Sequence, residues 1–320
     1  LGSGLTEVSI PSSVTTLGTY AFAFNVSLAK VTLPSTINTI SEYTFAGCSK
    51  LTLINTGSIE HFGPYALTSC TVLTNLNLSS AKSVGYGAFA STNLTNIVSL
   101  ANLEETETYA FQGTKIAAID APKLRVIGAA AFSMMTELKS FTFYPTLEEV
   151  GMMPFIESGV EHFYVANNTS STATINDYAF VENDALYIKL ANGNIQLQAY
   201  APMCKAEQLV VKEGTVRIEL FAGSENTYLK SVVLPDSLEY IGQSAFRNCT
   251  SLESVEFKSF NAPKLESSHN KNDSLSETDP GYELLKKYLD MFGLTVYYAQ
   301  FIDLVGKHEP IKMILPSNDD

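Results

Sequence analysis

The stretch Val31–Leu51, VTLPSTINTISEYTFAGCSKL, is spelled repeatedly along this chain, about every 22 residues. It holds an alternating apolar run ended by proline (Val31, Leu33, Pro34), then two aliphatics three apart (Ile37, Ile40). An aromatic anchor follows (Phe45), a thiol three residues on (Cys48), and a leucine that opens the next copy (Leu51). The anchors are Phe22, Phe45, Leu67, Phe89, Phe111, Phe132, Phe155, Phe180, Tyr200, Phe221 and Phe246, spaced 20 to 25 residues apart. Most follow an alanine, small enough for neighbouring coils to approach while the aromatic fills the interior. A period of this length dictates a stacked repeat architecture before any single residue is weighed.

Each copy reads L-x-x-V-x-L, as in Leu28/Val31/Leu33, Leu73/Leu76/Leu78 and Leu138/Phe141/Phe143. Its last part alternates with period two, the pattern of a short half-buried strand. Proline often ends it (Pro11, Pro34, Pro122, Pro235), because proline cannot continue a hydrogen-bond ladder. The paired aliphatics that follow, such as Ile37/Ile40 and Leu124/Ile127, predict a short helical or 3-10 corner. Glycines after several of them (Gly63, Gly85, Gly128, Gly151, Gly242) suit a tight turn. One coil cannot bury its own apolar side, but stacked coils pair their strands in parallel about 4.8 Å apart and share an interior. Eleven anchors predict a curved solenoid with an arc of roughly 50 Å along the strand face.

The fullest copy, LPDSLEYIGQSAFRNC over Leu234–Cys249, resembles the bacterial leucine-rich repeats of the BspA type, also called the Treponema pallidum type. The resemblance covers Leu5–Phe257. It implies a leucine-rich repeat solenoid, mainly short parallel strands, and a non-catalytic secreted or cell-surface protein that adheres to host matrix proteins or to other cells.

The array is predicted to occupy residues 1–257, with a β-hairpin interrupting it near 186–200. There LYIKLANGNIQLQAY alternates on both sides of Asn192-Gly193, a strong hairpin signal. Just before it, ANNTSSTA (166–173) reads as a surface loop. Residues 258–320 are predicted to form a linker and a C-terminal cap. The polar stretch 261–281 reads as a loop, Tyr282–Phe292 as an amphipathic helix, Leu294–Ile302 as a strand, and 311–320 as a frayed end. A helix plus strand would cover the open edge of the last coil.

Composition narrows the function. A formal net charge of -13 repels phosphate backbones, so nucleic acid is not an expected partner. No run approaches the roughly 18–20 apolar residues of a membrane span, so any membrane association is expected to be peripheral, through an anchor. No signal segment is present. The chain opens as LGSGLTEVSIP, already inside a repeat, and is expected to be a mature or truncated piece of an extracellular or cell-surface protein. It is expected to act as a monomer.

Four cysteines are too few for a disulfide scaffold. Cys48, Cys70 and Cys249 share the slot three after the anchor, which Thr114, Met135 and Ser158 fill elsewhere. That places them as small packing groups rather than reactive thiols or metal ligands. His61, His162, His269 and His308 form no H-x-x-x-H or H-E-x-x-H pattern. The acidic clusters Glu104-Glu105-Thr106-Glu107 and Glu148-Glu149 lack calcium-loop spelling and read as solvated edge charge. Phosphate-binding glycine loops are absent. No cofactor or metal is expected.

What remains is the strand face. The residue between the last two core positions of each L-x-x-V-x-L unit points outward. Those positions and their flanks give the candidate ligand-binding residues Asn55, Asn77, Asn96, Asp120, Lys139, Thr142, His162 and Tyr164. Such a face suits a protein or glycan ligand, although it also reads as solvated sheet with no partner. Two other functions compete. A glycan-binding module of a nutrient-uptake system would carry exposed aromatics, and Tyr164 is the only aromatic at an outward strand position. A β-helix polysaccharide-degrading enzyme would need acids clustered with bases, but Lys30, Lys139 and Lys230 are far apart.

Overall fold

The computed structural model describes residues 4–258 together with Lys264–Leu265 and Lys312–Ile314. The chain divides into two compact units, Leu1–Asn176 and Asp177–Asp320.

The first unit is a parallel-strand solenoid whose coils carry two short strands. The predicted first strands lie at Glu7–Ser9, Lys30–Thr32, Leu53–Ile54, Asn75–Asn77, Asn96–Val98, Ser140–Phe143 and His162–Val165. They pair in parallel in the register of the repeat, Val8 with Val31, Val31 with Ile54, Leu76 with Ile97 and Phe141 with Phe163. This ladder is discontinuous, a three-stranded sheet followed by two separate pairs. The unbroken ladder lies elsewhere. Thr39–Ile40, His61–Phe62, Ser83–Val84, Glu105–Thr106, Val126–Ile127 and Glu149–Val150 form one six-stranded parallel sheet.

That second sheet corrects the predicted corner. No α- or 3-10 helix occurs among the described residues, and the second of each aliphatic pair, such as Ile40 or Ile127, sits in a strand. The anchor itself occupies a non-helical turn. Residues two before and two after each anchor adopt positive φ, as at Tyr20/Phe24, Tyr43/Gly47, Tyr65/Ser69, Tyr109/Gly113 and Ala130/Met134. Amides then alternate in direction. Tyr20, Phe22 and Phe24 donate to Glu42, Thr44 and Ala46 of the next coil at 3.1, 2.9 and 2.7 Å, while Ala21 and Ala23 donate to Gly18 and Tyr20 of their own coil. A helix would keep every amide within the coil. Here half of them join neighbouring coils, which offsets a strain of roughly 1–3 kcal/mol for a non-glycine residue in a sparsely populated backbone region.

The glycines after the aliphatic pairs are required for a different reason than the predicted tight turn. At Gly128 a Cβ would stand 2.3 Å from the carbonyl carbon of Glu107, and at Gly151 2.5 Å from the amide nitrogen of Ala129. Close approach of the preceding coil, not a left-handed φ, excludes a side chain there.

Inside, Phe45, Phe89, Phe111, Phe132 and Phe155 are completely enclosed. Phe111, Phe132 and Phe155 stack at 5.7 Å intervals, within 22° and 13° of parallel. Each enclosed phenylalanine is worth about 1.5–3 kcal/mol of burial, and each coil adds several buried aliphatics such as Val31, Leu33, Ile37 and Ile40.

The second unit contains the predicted hairpin. Ala185–Lys189 pairs antiparallel with Ile195–Tyr200, and Gly193 supplies a φ of 85° in the turn. A further strand, Ala179–Glu182, pairs antiparallel with Ala185–Lys189 through Asn183-Asp184, whose φ values of 50° and 60° meet the requirement of a tight hairpin turn. Phe180 and Tyr200, predicted as coil anchors, therefore lie in strands, and Phe180 stacks on Tyr187 at 5.0 Å.

Parallel pairing resumes from Ile195–Tyr200 to Thr215–Ile218, Tyr240–Ile241 and Lys264–Leu265. A second ladder runs Gln208–Val210, Ser231–Leu234, Ser254–Phe257, Lys312–Ile314. The anchor predicted at Phe221 is displaced. Phe221 is half-buried at the left-handed position equivalent to Ser244, and Gly223 occupies the anchor slot. The Phe246 ring fills that space, 2.7 Å from where a Gly223 Cβ would lie.

Lys264–Leu265, within the predicted loop, and Lys312–Ile314, within the predicted frayed end, extend these two ladders. The predicted helix Tyr282–Phe292 and strand Leu294–Ile302 lie outside the described residues. The stretch 166–173 turns and bends as expected, and its end joins the short strand Thr172–Thr174.

Candidate functional site

On the strand pair Ser140–Phe143 and His162–Val165, the alternation works as period two requires. Phe141, Phe143, Phe163 and Val165 are buried, while the side chains between them face out. The register sets Ser140 beside His162 and Thr142 beside Tyr164. Tyr164 is 47% exposed, and its ring lies 5.9 Å from the His162 imidazole. Thr142, His162 and Tyr164 are thus brought together with Ser140 into one polar patch around an open aromatic ring.

The other candidates are distributed differently. Asn96 is exposed and pairs across the strands with Asn75, while Asn77 is one outward position further along. Asn75 and Asn96 donate to their neighbours Thr74 and Thr95 at 2.8 and 3.2 Å. The Asn77 carboxamide accepts the Ser79 amide at 3.0 Å. Asn55 is committed to the fold, since its carboxamide bonds both backbone groups of Leu33. Lys139 folds back on its own coil, donating to the Thr136 carbonyl at 2.8 Å. Asp120 is exposed but outside any strand, so the first ladder lapses there. Its carboxylate accepts the Tyr144 hydroxyl at 2.5 Å, which pushes the Tyr144 phenol up to about 12.

The cysteine slot has a polar logic that packing alone did not reveal. Cys48, Cys70 and Cys249 donate to the carbonyls of Phe22, Phe45 and Gly223 in the preceding coil at 3.2, 3.2 and 3.1 Å. Thr92 satisfies the Phe89 carbonyl of its own coil at 2.8 Å. The slot is not uniformly polar, however: Met135 fills it with a thioether, and the Thr114 and Ser158 hydroxyls there are buried without a hydrogen-bond partner. All four cysteines are free and buried. Burial pushes the Cys48 thiol up to about 11 and raises Cys70 as well, the opposite of an activated nucleophile.

Two columns escaped the sequence reading. One is a run of alternating charge, Glu60, Lys82, Glu104, Arg125 and Glu148, at equivalent positions just before the second strands. Lys82 meets Glu60 at 2.6 Å and Arg125 meets Glu148 at 2.6 Å. Opposite charges on neighbouring coils favour this register, where like charges would oppose it. His61 stands beside it, its Nδ1 2.8 Å from Ser83 Oγ. Its Nε2 is 4.0 Å from Glu60, a carboxylate already held by Lys82, so these three do not form a nucleophilic relay. The other column is tyrosine. Tyr20, Tyr43, Tyr65 and Tyr109 each precede an anchor by two residues, and Tyr86 lies between them in the ladder. The recurrence is visible in the sequence, but it falls in the corner rather than at outward strand positions.

Coils of about 22 residues, a shared column of buried aromatics and short parallel strands with an open outer face define a leucine-rich repeat protein. The chain belongs to the BspA type leucine-rich repeat family, which matches residues 2–117, 76–189, 104–219 and 193–284. It is similar to a leucine-rich cell surface protein from Faecalibacterium prausnitzii, with 29% identity and a TM-score of 0.57 over 80% of this chain and 61% of that one. It thus spans about three fifths of that protein's length. The pneumococcal vaccine antigen PcpA is similar in fold, at 16% identity and a TM-score of 0.51 over 98% of this chain and 89% of that one. No curated protein matches the chain.

Proposed function

We propose that this chain is a non-catalytic repeat module of a secreted or cell-surface bacterial protein. Its role is to bind a macromolecular ligand, a protein of the host matrix or of another cell, through the outer face of its first strands. The carrying observation is the patch of Ser140, Thr142, His162 and Tyr164, in register on two adjacent strands with Tyr164 47% exposed. Tyrosine supplies large rigid contact area with a polar tip, and is enriched where protein interfaces concentrate their binding energy. The surface-protein character of the F. prausnitzii relative supports the location. The chain acts as a monomer, without cofactor and without nucleic acid.

The test is a binding screen of the purified chain over matrix proteins and glycans, run in parallel with His162→Ala/Tyr164→Ala. The double variant should lose the captured protein ligand with its thermal midpoint unchanged. Capture at equal strength by both chains places the ligand elsewhere.

A further inference from the structure

The tyrosine column is a built array that the strand-face reading does not use. Tyr20, Tyr43 and Tyr65 stack face to face with centroids 4.6 Å apart and planes within 6° and 17° of parallel. Their faces largely cover one another, so edges and hydroxyls are what solvent meets. In the fourth coil Gly87 takes the left-handed position, so the tyrosine stands one residue earlier, at Tyr86. Its ring turns 51° from Tyr65 and 80° from Tyr109, at 5.1 and 5.6 Å. The face-to-face stack is therefore broken at Tyr86. Tyr20 is 49% exposed and the other four are half-buried.

We propose that this ladder binds a neutral, extended polysaccharide laid along the stack of coils, one sugar per tyrosine. Three observations select that ligand. The first is pitch. The rungs are 4.6 to 5.6 Å apart, about the advance per sugar of an extended β-1,4-linked chain. An extended peptide advances about 3.3–3.4 Å per residue and falls out of step with the coils. The second is chemistry. Phenol hydroxyls both donate and accept, as sugar hydroxyls do. The third is charge. Glu42 lies beside Tyr43, and Glu107 accepts the Tyr86 amide at 2.8 Å. In a chain of net charge -13 these exclude an acidic polymer.

The experiment is affinity electrophoresis of the whole chain through native gels containing hydroxyethyl cellulose, with polygalacturonate as the acidic comparator. Wild type should be retarded by the neutral glucan alone. Tyr43→Asn/Tyr65→Asn should weaken retardation at least tenfold, since asparagine tolerates the left-handed backbone while removing the rings. Tyr43→Phe/Tyr65→Phe keeps the stack and removes two hydroxyls, and should also bind more weakly. His162→Ala/Tyr164→Ala should be retarded like wild type, which separates this site from the strand face. Affinity for cello-oligosaccharides should rise with length up to five units, one for each of the five rungs. Wild type moving freely through the neutral glucan overturns the proposal. So does equal retardation of wild type and the asparagine variant, or retardation by polygalacturonate alone.

Discussion

The carboxamide of Asn55 stands in for a strand partner of Leu33. Its oxygen accepts the Leu33 amide at 2.7 Å and its nitrogen donates to the Leu33 carbonyl at 2.8 Å. The backbone pairing of this coil stops at Leu53–Ile54, and the side chain continues it by another residue. Asn55→Asp keeps the acceptor but loses the donor and adds a charge against a carbonyl. It should cost about 1–3 kcal/mol in urea unfolding. An unchanged midpoint would show that water replaces the pair without loss.

The second unit's register turns on Phe246 and Phe221. Phe246 is 1% exposed and spans two anchor slots, whereas Phe221 is half-buried at a corner. Phe246→Ala should cost about 3–5 kcal/mol, and Phe221→Ala about 1 kcal/mol. Equal costs would return Phe221 to the anchor column.

Two glycines separate close approach from backbone strain. Gly128→Ala forces a methyl to 2.3 Å from the Glu107 carbonyl carbon, while at Gly113 nothing lies within 4 Å and φ is +68°. Gly128→Ala should cost about 1–3 kcal/mol or more through overpacking. Gly113→Asn should lie within about 0.5 kcal/mol of wild type, because asparagine accepts that φ at a surface site. Thermal unfolding of the pair decides it, and the opposite order would contradict the close-approach explanation.

The charge column should show in acid. A hydrogen bond from Lys82 holds Glu60 below the usual carboxylate range, and one from Arg125 does the same for Glu148. A lowered folded pKa stabilises above the unfolded value of about 4.3, and that stability is lost as pH falls through the folded value. Both pairs are exposed, so the effect is small. The gap in urea midpoint between wild type and Arg125→Gln should be present at pH 6 and close by pH 2. A gap that persists at pH 2 would assign the loss to packing instead.

The thiols give a sharp count. With all four cysteines buried and hydrogen-bonded or raised by burial, a disulfide-exchange reagent at pH 8 should titrate none in the folded chain and four in urea. Fast reaction of one thiol in the folded chain would identify a corner that opens.

The coil period was legible because the anchors combine an aromatic with a preceding alanine, as at Ala88-Phe89 and Ala110-Phe111, and packing repeats that combination faithfully. Corner geometry was not legible. Positive φ at Tyr43, Ala130 or Met134 is imposed by amides bonding the next coil, and only Gly47, Gly87 and Gly113 betray it by residue type. The six-stranded sheet was missed because two-residue strands such as Thr39–Ile40 carry no periodicity of their own. Phe221 misled because Ala222-Gly223 places a glycine where an aromatic is expected. Within the candidate face, period two gave the outward direction of Thr142, His162 and Tyr164 correctly. It could not show that Asn55 spends its carboxamide on Leu33, or that Asp120 is held by Tyr144.

Hydroxyl-radical footprinting of the chain with and without its captured protein ligand tests the binding face most directly. The expected result is protection of His162 and Tyr164, with Tyr20 and Tyr228, 49% and 39% exposed, modified equally in both states. Unchanged modification of Tyr164 alongside protection elsewhere would contradict the assignment of the strand face.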